Sequence, residues 1–232
     1  YPIQNNLAYL DKEIAVKALS EMADTNKPPV RTMKDWLIAS FGQTLTDIFF
    51  APFHQLYTAG LWDKIAPQDS YKSPVNYALA VQGAFGKQPP SVGYNTAFLY
   101  PEHGLDSLTR TIASRCQLNY GKIAVSIDVE KKIVTVADGS IVHYQNLIAS
   151  LPLNHMMKMT GLQVDHAADP YSSVLVLNVG AKIGKKCPPD HWLYNPDAKS
   201  GFHRVGFYSN VDTSFLPASS RQPVNRVSIY VE

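Results

Sequence analysis

The sequence changes its periodicity near residue 94, and this change limits the possible fold more than any other feature. Before it, apolar residues recur at the spacing of helices; after it, short β-branched runs alternate with turn residues. The 232 residues are 45% hydrophobic, which is enough apolar material for one large or two small domains. We therefore predict an α+β fold in which a helical block precedes a mostly antiparallel sheet.

Helix-forming patterns fill roughly the first 90 residues. Thr32 and Asp35 have the three-residue spacing of a capping box, which predicts that a helix begins there. Asp11 is a suitable N-cap for an earlier helix. Ser73 and Pro74 are typical of the start of a later one. The predicted helices cover 11–23, 32–42, 44–50 and the stretches that follow Pro52 and Pro74.

The remainder of the chain predicts strands, after one further helix over 106–116. Three consecutive β-branched runs predict an antiparallel meander, with the pair Asp138-Gly139 as the turn between the last two. The later runs are separated by loops rich in proline and glycine. The predicted strands cover 123–128, 133–136, 141–143, 172–179, 205–208 and 227–231, and 146–151 is a further apolar run ended by Pro152.

Composition excludes several classes of protein. The net charge is +2 and only 17% of residues are charged, which argues against a disordered chain and against an electrostatic nucleic-acid binder. No apolar run approaches the roughly 20 residues of a membrane span. Two cysteines, Cys116 and Cys187, are too few for a disulfide framework, so we expect a reducing, cytoplasmic location.

Because the chain starts without Met and stops inside a predicted strand, we expect an interior piece of a longer protein.

Generic catalytic motifs do not occur in the sequence. It contains no G-x-G-x-x-G, G-x-S-x-G or H-E-x-x-H pattern, and its seven histidines are scattered. The stretch 180–186 is one residue short of a phosphate-binding loop and has lysine where serine or threonine should bind magnesium. Residue types and spacing thus indicate an aromatic-rich α+β chain without a recognisable nucleotide or metal motif.

One cluster of aromatic and charged residues indicates a ligand site. Trp192 and Tyr194 lie two residues apart in a predicted strand, so their side chains share one face. Arg204 opens the next strand, and in a hairpin its guanidinium would meet both rings. Such a group suits a ligand with a ring and an anionic group. A cross-strand aromatic pair beside a surface arginine explains the same spacing, and on spacing alone it is the commoner arrangement.

Together with three further segments, this cluster resembles the substrate-contacting motifs of the UDP-galactopyranose mutases, particularly their eukaryotic-type branch. The matching segments are Tyr1-Pro2-Ile3-Gln4-Asn5-Asn6, Asp35-Trp36-Leu37, the Trp192, Tyr194 and Arg204 cluster, and Ser209-Asn210. Two other segments resemble the wider amine-oxidase-like FAD superfamily. They are the turn Tyr100-Pro101-Glu102-His103-Gly104 and the meander over 123–152. The likeness spans nearly the whole chain.

The resemblance implies an FAD-dependent isomerase that converts UDP-galactopyranose to UDP-galactofuranose at a reduced flavin, with the protein holding the nucleotide sugar. It implies a substrate-binding helical block over 1–98, a meander returning to the FAD domain over 99–152, and an antiparallel substrate-binding sheet over 153–232. The Rossmann N-terminus of the flavoprotein would lie upstream. The implied substrate contacts are Tyr1, Gln4, Trp36, Trp192, Tyr194, Arg204 and Asn210, and the implied FAD contacts are Gly104 and Ala124.

Two departures from the family pattern concern the substrate. Ala51, which lies 15 residues after Trp36 and directly before Pro52, occupies the position of a second diphosphate-binding arginine. Val211 stands seven residues after Arg204, where a tyrosine is expected. We therefore expect UDP to bind weakly or not at all. Two alternatives remain: an FAD-dependent oxidoreductase of the amine-oxidase type with another substrate, and a non-catalytic relative that kept the fold.

Overall fold

The chain forms two compact units, one of residues 1–102 with 172–232 and the other of residues 103–171. The first unit combines helices with a four-stranded sheet, and the second combines a three-stranded sheet with two helices, so the predicted α+β class is confirmed. The three-part division by role at residues 98 and 152 stays a prediction. The computed structural model describes residues 2–67, 75–88, 90, 99–101, 103–163, 165 and 170–232.

The helices of the first unit begin close to where their capping residues predict. Asp11 occupies the N-cap position of the first helix. The Asp35 N–H donates to the Thr32 hydroxyl and the Thr32 N–H donates to the Asp35 carboxylate, so the predicted capping box is confirmed. Ser73 and Pro74 lie outside the described residues, and the helix that follows them is capped by the Asn76 side chain. These helices are α1 (Lys12–Ala23), α2 (Met33–Leu45), α3 (Ala51–Tyr57) and α4 (Tyr77–Ala84).

A glycine kinks α2 and redirects the chain toward α3. Gly42 has a φ of 82°, a left-handed conformation that favours glycine, and a Cβ there would lie 2.5 Å from the Cβ of Glu21. The Glu21 carboxylate of α1 accepts hydrogen bonds from the Thr44 N–H at 2.7 Å and the Thr44 hydroxyl at 2.8 Å. The helix predicted to end at Gly42 does break there, because Gly42 has non-helical dihedral angles. A second helical stretch follows the kink, and a π-helical turn, Thr46–Phe50, leads into α3.

The core of the first unit lies among these helices. Phe41 and Phe50 stack with their ring centroids 4.7 Å apart, and both are almost completely buried. Burying a side chain of this size contributes about 1.5–3 kcal/mol. Half-buried side chains at the edge of this core include Trp36, Ala51 and Tyr194, so the core extends to the sheet.

The sheet of the first unit is antiparallel, with strand order β4-β7-β6-β5. The strand predicted at 172–179 starts later, at Leu177, and the two runs predicted near 205 and 227 form strands close to their predicted bounds. A one-turn helix, α7 (Tyr208–Val211), follows β6. The strands are β4 (Leu177–Lys182), β5 (Trp192–Tyr194), β6 (Arg204–Phe207) and β7 (Arg226–Val231).

The second unit contains the predicted meander, which is confirmed with its turn at Gly139, whose φ is 85°. The apolar run over 146–151 forms neither helix nor strand, and a helix that the sequence did not predict begins after Pro152. In the described part of the chain, no helix is long and apolar enough to cross a membrane. The elements are α5 (Asp106–Ala113), β1 (Ala124–Asp128), β2 (Ile133–Val136), β3 (Ile141–His143) and α6 (Leu153–Thr160).

Candidate functional site

Three side chains form a row that crosses β5, β6 and the end of β7, at one end of the four-stranded sheet. Tyr194 lies opposite Arg204 in the β5–β6 register. Arg204 lies opposite Glu232, whose N–H donates to the Arg204 carbonyl at 3.0 Å. Residues opposite each other in antiparallel strands project from the same face, so the three side chains are neighbours. The β5–β6 pair thus has the hairpin register that the spacing of Tyr194 and Arg204 predicted.

The guanidinium of Arg204 is paired with the carboxylate of Glu232. Nε and Nη2 lie 2.7 Å and 2.5 Å from the same oxygen, Oε2. The side chains of Arg204 and Glu232 are 32% and 13% exposed, so the pair is only partly screened by water. Burial lowers the pKa of Arg204, but the hydrogen bond to Glu232 and the nearby Tyr230 raise it by more, and the net shift is upward. The arginine is charged, and its charge is opposed by an adjacent carboxylate.

The next row of the same face is built around a glycine. Trp192 lies opposite Gly206, and Gly206 lies opposite Tyr230. A Cβ on Gly206 would lie 1.8 Å from the Tyr230 ring, so the ring covers the glycine backbone. The guanidinium carbon of Arg204 lies 5.6 Å from the centroid of that ring, within the range of a cation–π contact. We call this surface the site face; its members are Trp192, Tyr194, Arg204, Tyr230 and Glu232.

A row of contacting aromatic rings continues from the site face within the first unit. The Tyr230 ring centroid lies 4.6 Å from that of Tyr208, which in turn lies 5.4 Å from Phe215. Phe215 lies 4.9 Å from Tyr100, the first residue of the turn that resembles the flavin-facing turn of the superfamily. Rings in offset or tilted contact stabilise one another by about 0.5–1.5 kcal/mol per pair. The row therefore connects Arg204 with Tyr100 through aromatic contacts within the first unit.

Helix α3 contributes a second aromatic wall. The Phe53 ring meets Tyr194 edge-on, at 5.2 Å between centroids, and stacks on Tyr57 one turn along the helix. Ala51 precedes Phe53 by two positions, about 200° around the helix axis, and it packs against the helical core.

A buried histidine lies beside the Arg204–Glu232 pair. The side chain of His203 is 8% exposed, its Nε2 lies 3.7 Å from Glu232 Oε2, and its ring contacts Phe53 and Tyr57. Burial lowers the pKa of His203, and the carboxylate of Glu232 offsets only part of this shift. Burial also lowers the pKa of His54 on α3, whose Nδ1 lies 2.7 Å from the Phe50 carbonyl. Both imidazoles are therefore neutral at pH 7.

The N-terminal segment contains a buried amide that the sequence did not single out. Tyr1 lies outside the described residues, and Gln4 is fully buried in a short 3₁₀ turn, Ile3–Asn5. Asn5 is 1% exposed, and neither polar atom of its side chain has a hydrogen-bond partner in the described parts of the chain. Gly83 of α4 packs directly on this turn, since a Cβ there would lie 2.0 Å from the Asn5 carbonyl oxygen. An unpaired buried polar group typically costs about 1–3 kcal/mol.

Two other predicted contact residues have structural partners. Trp36 is half-buried on α2 and meets Phe41 edge-on, with centroids 5.7 Å apart. The Asn210 side-chain nitrogen donates to the carbonyls of Pro188 and Asp190, both at 2.8 Å, and so holds the loop before β5. Contact between either residue and a substrate remains a prediction.

The second unit contains the two residues predicted to lie against FAD. Gly104 has a φ of 93°, and within 4 Å of the Cβ position there the nearest described atom is an oxygen of Asp106, at 3.0 Å. A planar ring fits such a bare backbone, whereas the Asp106 carboxylate disfavours a phosphate at the start of α5. Ala124 opens β1 opposite Val136, beside an irregularity in the strand register. The residues present thus fit the ring of a flavin better than its pyrophosphate.

Several members of the site were missed in the sequence. Tyr230 and Glu232 have the two-residue spacing that places them on one strand face, and Phe53 and Tyr57 have the four-residue spacing of one helix face. Those patterns were available, but they do not show which strand lies next to Arg204. His203 directly precedes Arg204, but no pattern in the sequence indicates that its side chain is buried.

Solved structures share this fold. The chain matches a crystal structure of reduced UDP-galactopyranose mutase with a TM-score of 0.80 and 22% identity, over 100% of this chain and 54% of that one. It also matches the PF1083 protein from Pyrococcus furiosus, with a TM-score of 0.58 and 13% identity, over 100% of this chain and 55% of that one. No protein-family model matches the sequence. The likeness establishes a mutase-like fold, and the chain spans about half the length of both proteins.

Proposed function

We propose that this chain is the substrate-binding part of an FAD-dependent enzyme of the UDP-galactopyranose mutase group, which isomerises a nucleotide sugar. The observation that carries the proposal is the position of Arg204 between Tyr194 and Tyr230 on the site face of a mutase-like fold. The rings offer flat surfaces to a base or sugar, and the guanidinium offers charged donors to a phosphate.

In this proposal the chain binds and orients the substrate. Trp192 and Tyr194 contact the sugar or base, Arg204 binds a phosphate oxygen, and Trp36, with Tyr1, lines the nucleotide side. The contact expected from Gln4 is not part of the proposal, because this side chain is fully buried. FAD in its reduced form would supply the nucleophile for the anomeric carbon, and Gly104 and Ala124 would lie against it. The work of these residues is to hold the sugar at the position where that reaction occurs.

Exposed apolar side chains in the second unit support the proposal that the chain is an interior part of a larger flavoprotein. Leu108 and Ile112 on α5 are 52% and 58% exposed, and Ile123 and Ile141 of the meander are 68% and 58% exposed. Apolar side chains that form one contiguous surface are usually covered by another protein surface, and we propose that these do so. We propose that the parent protein supplies the dinucleotide-binding Rossmann domain and that it is cytoplasmic.

A second candidate function is favoured by the charge of the site. Glu232 neutralises Arg204, and Ala51 replaces the second arginine of the family pattern. A site with so little net positive charge suits a substrate without a diphosphate. An FAD-dependent oxidoreductase of the amine-oxidase type is therefore the alternative.

Titration of UDP by calorimetry into the full-length parent protein tests the proposal. We expect measurable binding, and we expect Arg204→Ala to weaken it at least tenfold, because a charged hydrogen bond is worth roughly 1.5–3 kcal/mol. Arg226→Ala is the matched control, since Arg226 lies exposed in the same sheet. Binding that is equally strong in all three proteins would remove Arg204 from the site. No binding of UDP by the flavin-loaded parent, together with oxygen consumption on another substrate, would favour the oxidoreductase.

A further inference from the structure

We propose that Glu232 determines the specificity of the candidate site by competing with the ligand for the guanidinium of Arg204. The inference rests on the proposed function, because it takes Arg204 as the group that meets the ligand. Its consequence is that the diphosphate of the ligand contributes less to binding than it would beside an unopposed arginine, so the site selects only weakly for negative charge.

The first support is that the contact is fixed by the backbone as well as by the side chains. Glu232 pairs with Arg204 through an N–H···O bond of 3.0 Å between the strands, and the His203 N–H donates to the Glu232 carbonyl at 2.8 Å. Neighbouring side chains on paired strands cannot separate without rotating away from each other. The backbone pairing therefore keeps the carboxylate and the guanidinium within reach of each other.

The second support is that few N–H groups of Arg204 remain accessible to a ligand. Nε and Nη2 are directed to Glu232, and the Tyr230 ring lies 5.6 Å from the guanidinium carbon. A ligand anion is left with the remaining N–H groups, and it would lie close to a carboxylate that is 13% exposed and weakly screened. Repulsion between the carboxylate and the anion grows with each negative charge of the ligand.

The third support is that the surroundings of Glu232 contain little other positive charge. Among the described residues, the groups that face its carboxylate are Arg204, the neutral imidazole of His203 and the ring of Tyr230. Ala51, at the position of the family's second arginine, adds no charge. The carboxylate is therefore balanced by one arginine, and a diphosphate at this position would make the site net negative.

The test compares UDP, UMP and uridine by calorimetric titration into the full-length parent protein and its Glu232→Gln variant. In the parent, we expect the diphosphate to strengthen binding over uridine by less than tenfold. In Glu232→Gln, we expect the affinity for UDP to rise about 10- to 100-fold, that for UMP to rise less, and that for uridine to stay unchanged. Glu130→Gln is the matched control, since Glu130 is an exposed carboxylate of the second unit.

The outcomes separate this inference from the proposed function. If UDP binds the parent more than 100-fold tighter than uridine, or if Glu232→Gln leaves the UDP-to-uridine ratio unchanged, Glu232 does not set the specificity and the nucleotide site still stands. If none of the three nucleotides binds either protein, the nucleotide-sugar function is wrong and the inference fails with it. If Glu232→Gln does not fold, the ratio of the UDP affinity to the uridine affinity in the parent decides alone. A ratio below tenfold supports the inference, and a larger ratio contradicts it.

Discussion

Arg204 and Glu232 lie opposite each other where β6 meets the end of β7, and they are joined both through their backbones and through their side chains. This pairing links the stability of the sheet to the charge of the site. Removing either side chain leaves the other one partly buried without its partner, which is costlier than the loss of an exposed ion pair.

Replacing Arg204 by alanine therefore destabilises the protein as well as the site. We expect the free energy of unfolding to fall by about 1–3 kcal/mol at pH 7, because the Glu232 carboxylate keeps its burial and loses its hydrogen bonds. Chemical denaturation measures the change. The control Arg226→Ala removes an exposed arginine of the same sheet and is expected to change stability by less than about 0.5 kcal/mol. Equal effects of the two substitutions would contradict the pairing.

A methyl group at Gly206 tests the contact between the sheet and Tyr230. A Cβ there would lie 1.8 Å from the Tyr230 ring, so Gly206→Ala must displace the ring that lies beside Arg204. We expect a loss of about 1–3 kcal/mol in thermal or chemical unfolding. Gly180→Ala is the matched control in the same sheet, because no described atom lies within 4 Å of its Cβ position. A tolerated Gly206→Ala would show that Tyr230 lies elsewhere.

The two buried histidines predict a loss of stability in mild acid. Burial lowers the pKa of both His54 and His203, so below about pH 6.5 the unfolded chain binds more protons than the folded one. Stability contributed by the neutral imidazoles is complete above that pH and decreases as the pH falls toward the lowered values. Melting temperatures between pH 7.5 and 5 measure the decrease. We expect His54→Gln and His203→Gln each to reduce the fall in melting temperature between pH 7.5 and 5. The control His143→Gln, at an exposed position, is expected to leave that fall unchanged.

The buried amide of Asn5 predicts a gain in stability on substitution. Leucine has a similar shape and carries no polar atoms. Asn5→Leu therefore removes two groups that lack a partner among the described residues, and it is expected to stabilise the fold by about 1–3 kcal/mol. The neighbouring substitution Asn6→Leu is expected to act in the opposite direction, because the Asn6 side chain donates to the Pro2 carbonyl at 2.8 Å. Denaturation of both variants decides the point, and a destabilised Asn5→Leu would mean that this amide has a partner in solution.

Local signals predicted the fold well and long-range pairings poorly. The capping box of Thr32 and Asp35 and the turn at Gly139 depend on residues within one turn, and both occur as predicted. Helix α6 was missed because Pro152 was interpreted as the end of an apolar run, whereas it occupies the N-cap position. The partner of Arg204 lies 28 residues away, so only the strand order brings Glu232 beside it.

The isomerisation itself tests the central claim most directly. Full-length flavin-loaded protein, reduced with dithionite, is incubated with UDP-galactofuranose, and the nucleotide sugars are separated by chromatography. The account predicts conversion to UDP-galactopyranose that requires the reduced flavin and falls at least tenfold in Arg204→Ala. It is contradicted if the reduced, flavin-loaded protein binds UDP and leaves UDP-galactofuranose unchanged.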